Sequence, residues 1–175
     1  MLLTGCDGFI GRHIAAAARR GGWRILGVTR SADAMAEVEE RLRLDLNAPD
    51  AEKRLVPAMA SVDAVVHAAA RVQVFGRGAR VVAENVSVTA KVLRAAERAG
   101  QPRIVFLSSA SVLFDRNDQR GLQEDAPLPA RCLNGYAESK KRCERLVDAY
   151  PGSSAILRPQ AVIGDRKSPR LNSSH

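Results

Sequence analysis

Short apolar runs alternate with amphipathic stretches along the whole chain. MLLTG at the start predicts a short first strand, and GFIGRHIAAAARRGG, from Gly8, predicts a helix with an alanine-rich face that ends at Gly21 and Gly22. WRILGVTR reads as a second strand. The acidic, alternating ADAMAEVEERL follows, then RLRLDL as a short strand and PDAEKRLVPAM as a helix with Pro49 at its start. VDAVVHAAA is apolar without alternation, as in a strand buried on both faces, and the segment from Arg80 to Arg98 is a helix stopped at Gly100. RIVFLSSASVLF predicts the next buried strand, 115–134 a polar loop, YAESKKRCERLVDAY a helix and SSAILRPQAVIG a last strand. Strands and helices alternating at this spacing predict an α/β fold, a doubly wound parallel sheet of the Rossmann type with helices on both faces. Such a sheet binds ligands at the carboxyl ends of its strands.

Composition changes this picture little. With 175 residues, 46% hydrophobic and 26% charged, the chain has room for one domain with a hydrophobic core. No run reaches the ~18 apolar residues of a membrane span, and no basic-then-apolar leader opens the chain, so a cytoplasmic protein is the expectation. Cys6, Cys132 and Cys143 are unclustered and offer neither a disulfide framework nor metal-ligand spacing, so no metal site is expected. The formal charge of +8 raises nucleic acid as a partner, but 22 of the 27 basic residues are arginines scattered among acids. A nucleic-acid footprint needs a basic stripe or a recognisable motif, and neither is present, so no nucleic-acid partner is expected.

TGCDGFIG, residues 4–11, follows the first strand and opens the first helix. That is the context of a phosphate cradle: Gly5 makes the tight turn, Gly8 lets the backbone approach a pyrophosphate, and Gly11 packs the helix against the strand. YAESK sets Tyr136 and Lys140 four apart on one helical face, where an ammonium near the phenol would lower its pKa for proton transfer. Ser109, at the end of RIVFLSS, reaches the same strand-end crevice; strand alternation turns Ser108 away and puts Ser111 on Ser109's side. His67 reads as a packed strand residue and Lys141 as pointing elsewhere.

TGCDGFIG, Asp45-Leu46, HAAA, ENVSVT, FLSSASV, YAESK and LRPQAVIG occur in this order. The series resembles the extended short-chain dehydrogenase/reductase superfamily, of the epimerase/dehydratase type, over residues 1–164. The resemblance implies that Gly5, Gly8, Phe9, Ile10 and Gly11 line the pyrophosphate of a nicotinamide dinucleotide, and that Asp45 and Leu46 hold the adenine. It implies that Ala68, Ala69 and Ala70 pass beneath the adenosine ribose, that Asn85 steadies the site, and that Pro159 to Val162 run along the nicotinamide. Tyr136 would be the general acid/base, Lys140 would grip the nicotinamide ribose, and Ser109 would bond the substrate oxygen.

HAAARVQVFGRGA and SASVLFDRNDQRGLQEDAPLP are similar to the 3β-hydroxysteroid dehydrogenase-like branch, which includes reductases of long-chain 3-oxoacyl compounds. Hydride transfer between nicotinamide and a secondary alcohol or ketone is the implied reaction, on a small-molecule substrate. A nucleotide-sugar 4-epimerase or dehydratase is the runner-up, and a non-catalytic NAD(P)-binding regulator the alternative of another class. The second strand ends VTRS, with Arg30 and Ser31 where an NAD site usually carries an acid, which predicts NADP(H) over NAD(H). Family resemblance also implies a homodimer through the two long helices.

Two departures stand out. The first strand is short, and after Gly164 the chain reads DRKSPRLNSSH, which breaks the pattern and matches a translated sequencing-library adapter except at Pro169. Residues 165–175 are therefore expected to be a non-native tail, with a substrate-binding lobe missing after the 1–164 domain. The tail carries three basic residues and one acidic one, leaving +6 of the +8 to the rest of the chain.

Overall fold

The computed structural model describes residues 1–31, 37–72, 78–115, 121–160 and 162. The start of ADAMAEVEERL, Phe75 in the stretch after HAAA, residues 116–120 of SASVLFDRNDQRGLQEDAPLP, Ala161 of the Pro159–Val162 run and the 165–175 tail lie outside them.

Six strands form one wholly parallel sheet: β1 (Leu2–Thr4), β2 (Leu26–Thr29), β3 (Glu40–Arg43), β4 (Ala64–His67), β5 (Arg103–Leu107) and β6 (Ser154–Leu157). Their spatial order is β3-β2-β1-β4-β5-β6. The connections run outward one way from β1 and the other way from β4, so the carboxyl ends of β1 and β4 flank a crevice. Among the described residues four helices connect them: α1 (Phe9–Arg20), α2 (Ala51–Met59), α3 (Gly78–Arg98) and α4 (Gly135–Asp148).

Alternation along the strands divides the core between the two faces. Leu2, Val65, Ile104 and Phe106 pack with Leu55 and Met59 of α2, Val92 and Ala96 of α3, and Val147 and Tyr150 at the end of α4. Leu3 faces the other way, with Cys6, Ile25 and Ala15 of α1. At the β6 edge Leu157 remains 51% exposed.

Several elements are shorter than the apolar runs predict. RIVFLSSASVLF is not one strand: β5 ends at Leu107, and Ser109 caps a short 3₁₀ turn over Ala110–Leu113 by accepting from the Ser111 N–H. Ser109 and Ser111 thus meet across a turn, with Oγ atoms 2.9 Å apart, and not by strand alternation. The last strand stops where Arg158 turns its side chain to α4 and Pro159 cannot donate to a ladder.

Candidate active site

The glycine loop is tied by a Gly8 N–H bond to the Gly5 carbonyl, 3.0 Å. Gly5 sits at φ +71°, where a side chain would also meet the Ala69 backbone at 2.8 Å. A Cβ on Gly11 would overlap the Gly5 carbonyl oxygen and stand 2.9 Å from the Cys6 Cα. The loop, α1 and the 68–69 backbone are therefore packed main chain against main chain, which keeps the helix N-terminus open to an anion.

Beside this loop, at the carboxyl ends of β1, β2 and β4 and the segment after β3, lies a cavity of about 560 Å³. Of the residues expected to hold a dinucleotide, Gly5, Gly8, Arg30, Asp45, Leu46, Ala68, Ala69 and Ala70 line it. Asp45 accepts from the Asn47 N–H at 3.0 Å, and this bond, with Arg30 and Lys91 nearby, holds its carboxyl below the usual range. Phe9, half-buried, stacks edge-on against His13, and Ile10 and Gly11 form the first turn of α1. Neither Phe9, Ile10 nor Gly11 lines the cavity itself.

Ser109, Tyr136 and Lys140 belong to a second cluster, beyond the end of β5. Asn134 caps α4 by accepting from the Ala137 N–H at 2.9 Å, and Gly135 lets the start of α4 approach that of α3, since a Cβ there would lie 2.5 Å from the Gly78 Cα. This close crossing places Tyr136 in the first turn of α4. Lys140 is 3% exposed, donates to the Leu107 carbonyl at 2.6 Å and lies over the Phe106 ring. Burial pulls its pKa down to about 8. The expected lowering of the tyrosine pKa is not found: the Lys140 ammonium is 6.0 Å from the Tyr136 ring centroid and turned to the Leu107 carbonyl, and burial pushes the phenol up.

Asn85, buried in α3, joins the two clusters. Its Oδ1 accepts from the Arg71 N–H at 2.8 Å, while its Nδ2 donates to the Arg71 carbonyl and to Ser139 Oγ of α4. Pro159 bonds through its carbonyl to the Ala110 N–H, and Val162 is half exposed. His67 is a packed residue, bonded to Thr4 at 2.7 Å and Thr89 at 3.1 Å, with its pKa lowered to about 3 by burial and by Lys140.

Other residues of the site escape sequence reasoning. Lys141 is turned to the 129–130 segment: it is 3% exposed, donates to the Pro129 and Ala130 carbonyls, and pairs with Glu138. Lys91 donates to the carbonyls of Leu46, Asn47 and Ala48, fixing the segment that edges the cavity. Glu144, 1% exposed, accepts from Ser108 at 2.5 Å and from Arg158 through two bonds of 3.0 and 2.9 Å, and Arg158 also donates to the Glu124 carbonyl. Ser108 and Ser109 thereby hang from α4 one turn beyond Lys140. Apart from Lys141 with Glu138, these bonds join residues 11 to 45 positions apart and leave no periodic mark on the chain. Asp7 did carry a signal, an acid inside a phosphate loop.

The arrangement fits a nicotinamide dinucleotide. Main-chain glycines form a cradle that a Cβ would fill, the adjoining cavity has the size of small-ligand sites, and one buried carboxylate oxygen in it, Asp7 Oδ1, lacks a hydrogen-bond partner. Among the described residues no helix is long and apolar enough to cross a membrane, and no His/Cys/Asp/Glu group could hold a metal ion.

Known proteins carry the same pattern. The NAD dependent epimerase/dehydratase family matches residues 1–175. A 4-hydroxy-2-methyl-3-oxo-4-farnesyl-3,4-dihydroquinoline-1-oxide ketoreductase of Stigmatella aurantiaca is 30% identical over 93% of this chain and 50% of its own length. The 2-alkyl-3-oxoalkanoate reductase of Shewanella oneidensis is 31% identical over 93% of this chain and 44% of its own. Among solved structures, a short-chain dehydrogenase/reductase superfamily protein from Agrobacterium tumefaciens with bound NAD superposes with a TM-score of 0.75 at 31% identity, over 90% of this chain and 48% of that one. The chain thus spans about half the length of the relatives it matches. With the glycine cradle, the 3-2-1-4-5-6 parallel sheet and these matches in agreement, the chain belongs to the NAD dependent epimerase/dehydratase family of extended short-chain dehydrogenases/reductases.

Proposed function

We propose that this chain is the dinucleotide-binding part of an NAD(P)-dependent reductase that interconverts a ketone and a secondary alcohol. The observation that carries the reading is the second cluster: Tyr136 and Lys140 on one face of α4, and Ser109 on the turn that leaves β5, held to α4 through Ser108 and Glu144. The nicotinamide, when bound, supplies or takes the hydride. Ser109 orients the substrate oxygen by hydrogen bonding, and the Tyr136 phenol gives that oxygen its proton or removes it. A phenol kept up by burial is protonated at neutral pH, which suits the reducing direction. Lys140 binds the ribose of the nicotinamide half in this reading.

The reductase reading is favoured over a nucleotide-sugar 4-epimerase by the two curated relatives above, which are both named as ketone reductases. A preference for NADP(H) belongs to the same reading and rests on Arg30 and Ser31 at the rim of the cavity. The test is an absorbance assay of NAD(P)H consumption by the full-length enzyme, with 2-alkyl-3-oxoalkanoates, 3-ketosteroids and UDP-sugars as candidate substrates. Tyr136→Phe abolishes consumption while NAD(P)H still binds. Consumption that survives Tyr136→Phe refutes the assignment, and conversion of a UDP-sugar without net NAD(P)H loss replaces it with an epimerase.

A further inference from the structure

Asp7 occupies the fourth position of the TGCDGFIG loop, and its carboxylate is held in one orientation. Thr29, the last residue of β2, donates its hydroxyl to Asp7 Oδ2, and the Thr29 oxygen in turn accepts from the Ser31 N–H at 3.1 Å. The other carboxylate oxygen, Oδ1, is the one buried side-chain nitrogen or oxygen atom among the described residues without a hydrogen-bond partner. Asp7 lines the 560 Å³ cavity together with Gly5, Gly8, Thr29, Arg30 and Ser31. The other cations near this cavity are engaged: Arg71 with Glu84 at 3.0 Å, and Lys91 with three carbonyls.

A buried carboxylate oxygen without a donor is unfavourable, and a ligand that brings a hydroxyl to it removes the penalty. A ligand that brings a second anion there adds repulsion in a poorly screened setting. The two forms of the cofactor differ in this respect alone, since one carries a free 2′-hydroxyl on its adenosine ribose where the other carries a phosphate. We propose that Asp7 is a specificity-determining residue for the cofactor: Oδ1 accepts from the adenosine-ribose 2′-hydroxyl and disfavours the 2′-phosphate. The acid missing from the end of β2 is supplied by the glycine loop and clamped to β2 through Thr29. Arg30 and Asp7 then act in opposite directions on the same end of the cavity, so that Asp7 narrows the preference for NADPH that Arg30 sets.

This inference rests on the dinucleotide reading above, and a binding experiment separates the two. NADH and NADPH are titrated by nicotinamide fluorescence into the full-length protein, into Asp7→Asn and into Arg30→Ala, with thermal melts to confirm folding. Asn keeps a group that can accept from Thr29 but places an amide donor where Oδ1 stands. Loss of one charge-assisted hydrogen bond and one repulsion moves the NADPH-to-NADH affinity ratio toward NADPH by about tenfold or more. Arg30→Ala moves it the other way. Should Asp7→Asn melt early, Thr29→Val, which keeps the carboxylate but frees it, moves the ratio in the same direction by a smaller factor. Adenosine 2′,5′-bisphosphate competed against 5′-AMP repeats the comparison without the nicotinamide. A ratio within about twofold of wild type for Asp7→Asn, or equal loss of both cofactors, overturns the selector role and leaves Asp7 as a structural clip. If the wild-type protein binds neither cofactor, the dinucleotide reading itself falls.

Discussion

Replacing Glu144 by alanine tests whether the ion pair beside Ser109, Tyr136 and Lys140 holds these residues together. Glu144 is 1% exposed and carries both bonds of Arg158 and the Ser108 hydroxyl. Its removal leaves the Arg158 guanidinium and the buried Ser108 hydroxyl without their carboxylate acceptor. Breaking one side of a buried pair destabilises by about 3–5 kcal/mol. The Arg158 side chain is 21% exposed and keeps its bond to the Glu124 carbonyl, so water and that carbonyl relieve part of the loss, and about 3 kcal/mol is expected. For a domain of this size that is a fall in Tm of roughly 6–12 °C. Removing both partners, Glu144→Leu with Arg158→Leu, leaves no unpaired charge and is expected to be milder than Glu144→Ala alone. Urea denaturation of wild type, the single variants and the double variant gives the coupling energy of the pair. A Glu144→Ala protein that melts within about 2 °C of wild type refutes the reasoning, because it means the pair is solvated and does not organise the site.

Gly11→Ala sets a Cβ against the Gly5 carbonyl oxygen and the Cys6 Cα, all main chain that no rotamer change relieves. Overpacking of about 1–3 kcal/mol outweighs the ~1 kcal/mol of helix propensity gained, so Tm and NAD(P)H affinity both fall; unchanged affinity by fluorescence titration contradicts the cradle. For Lys140, the folded pKa of about 8 lies below the ordinary 10.5, so the unfolded chain binds more protons between these values. Stability therefore rises as pH climbs from about 8 toward 10.5, and urea melts show this rise in wild type but not in Lys140→Met. An identical slope in the variant refutes the assignment.

Much of the fold was legible because parallel-sheet proteins write their layers locally. Non-alternating runs such as VDAVVHAAA mark strands buried on both faces, and Gly21, Gly22 and Gly100 mark helix ends. Reading RIVFLSSASVLF as one strand failed because hydrophobicity does not distinguish a strand from the 3₁₀ turn that Ser109 caps. The pairing of Tyr136 with Lys140 followed from helical spacing, but not the direction of the lysine, which is decided by the Leu107 carbonyl and the Phe106 ring on another strand.

By itself, the sequence determined the order of strands and helices, the glycine cradle and the spacing of Tyr136 and Lys140 on one helical face, because each depends on neighbours within a few positions. Tertiary structure alone decided where charge is buried. Lys140, Lys141 and Glu144, on one polar-looking helix, are each 3% exposed or less because partners from β5, the 129–130 segment and Arg158 just after β6 close over them. Those partners are brought together by the sheet order, and the protonation of Tyr136 and Lys140 depends on the same burial. The cost of desolvating a charged group is set by its surroundings in space, which local sequence does not encode.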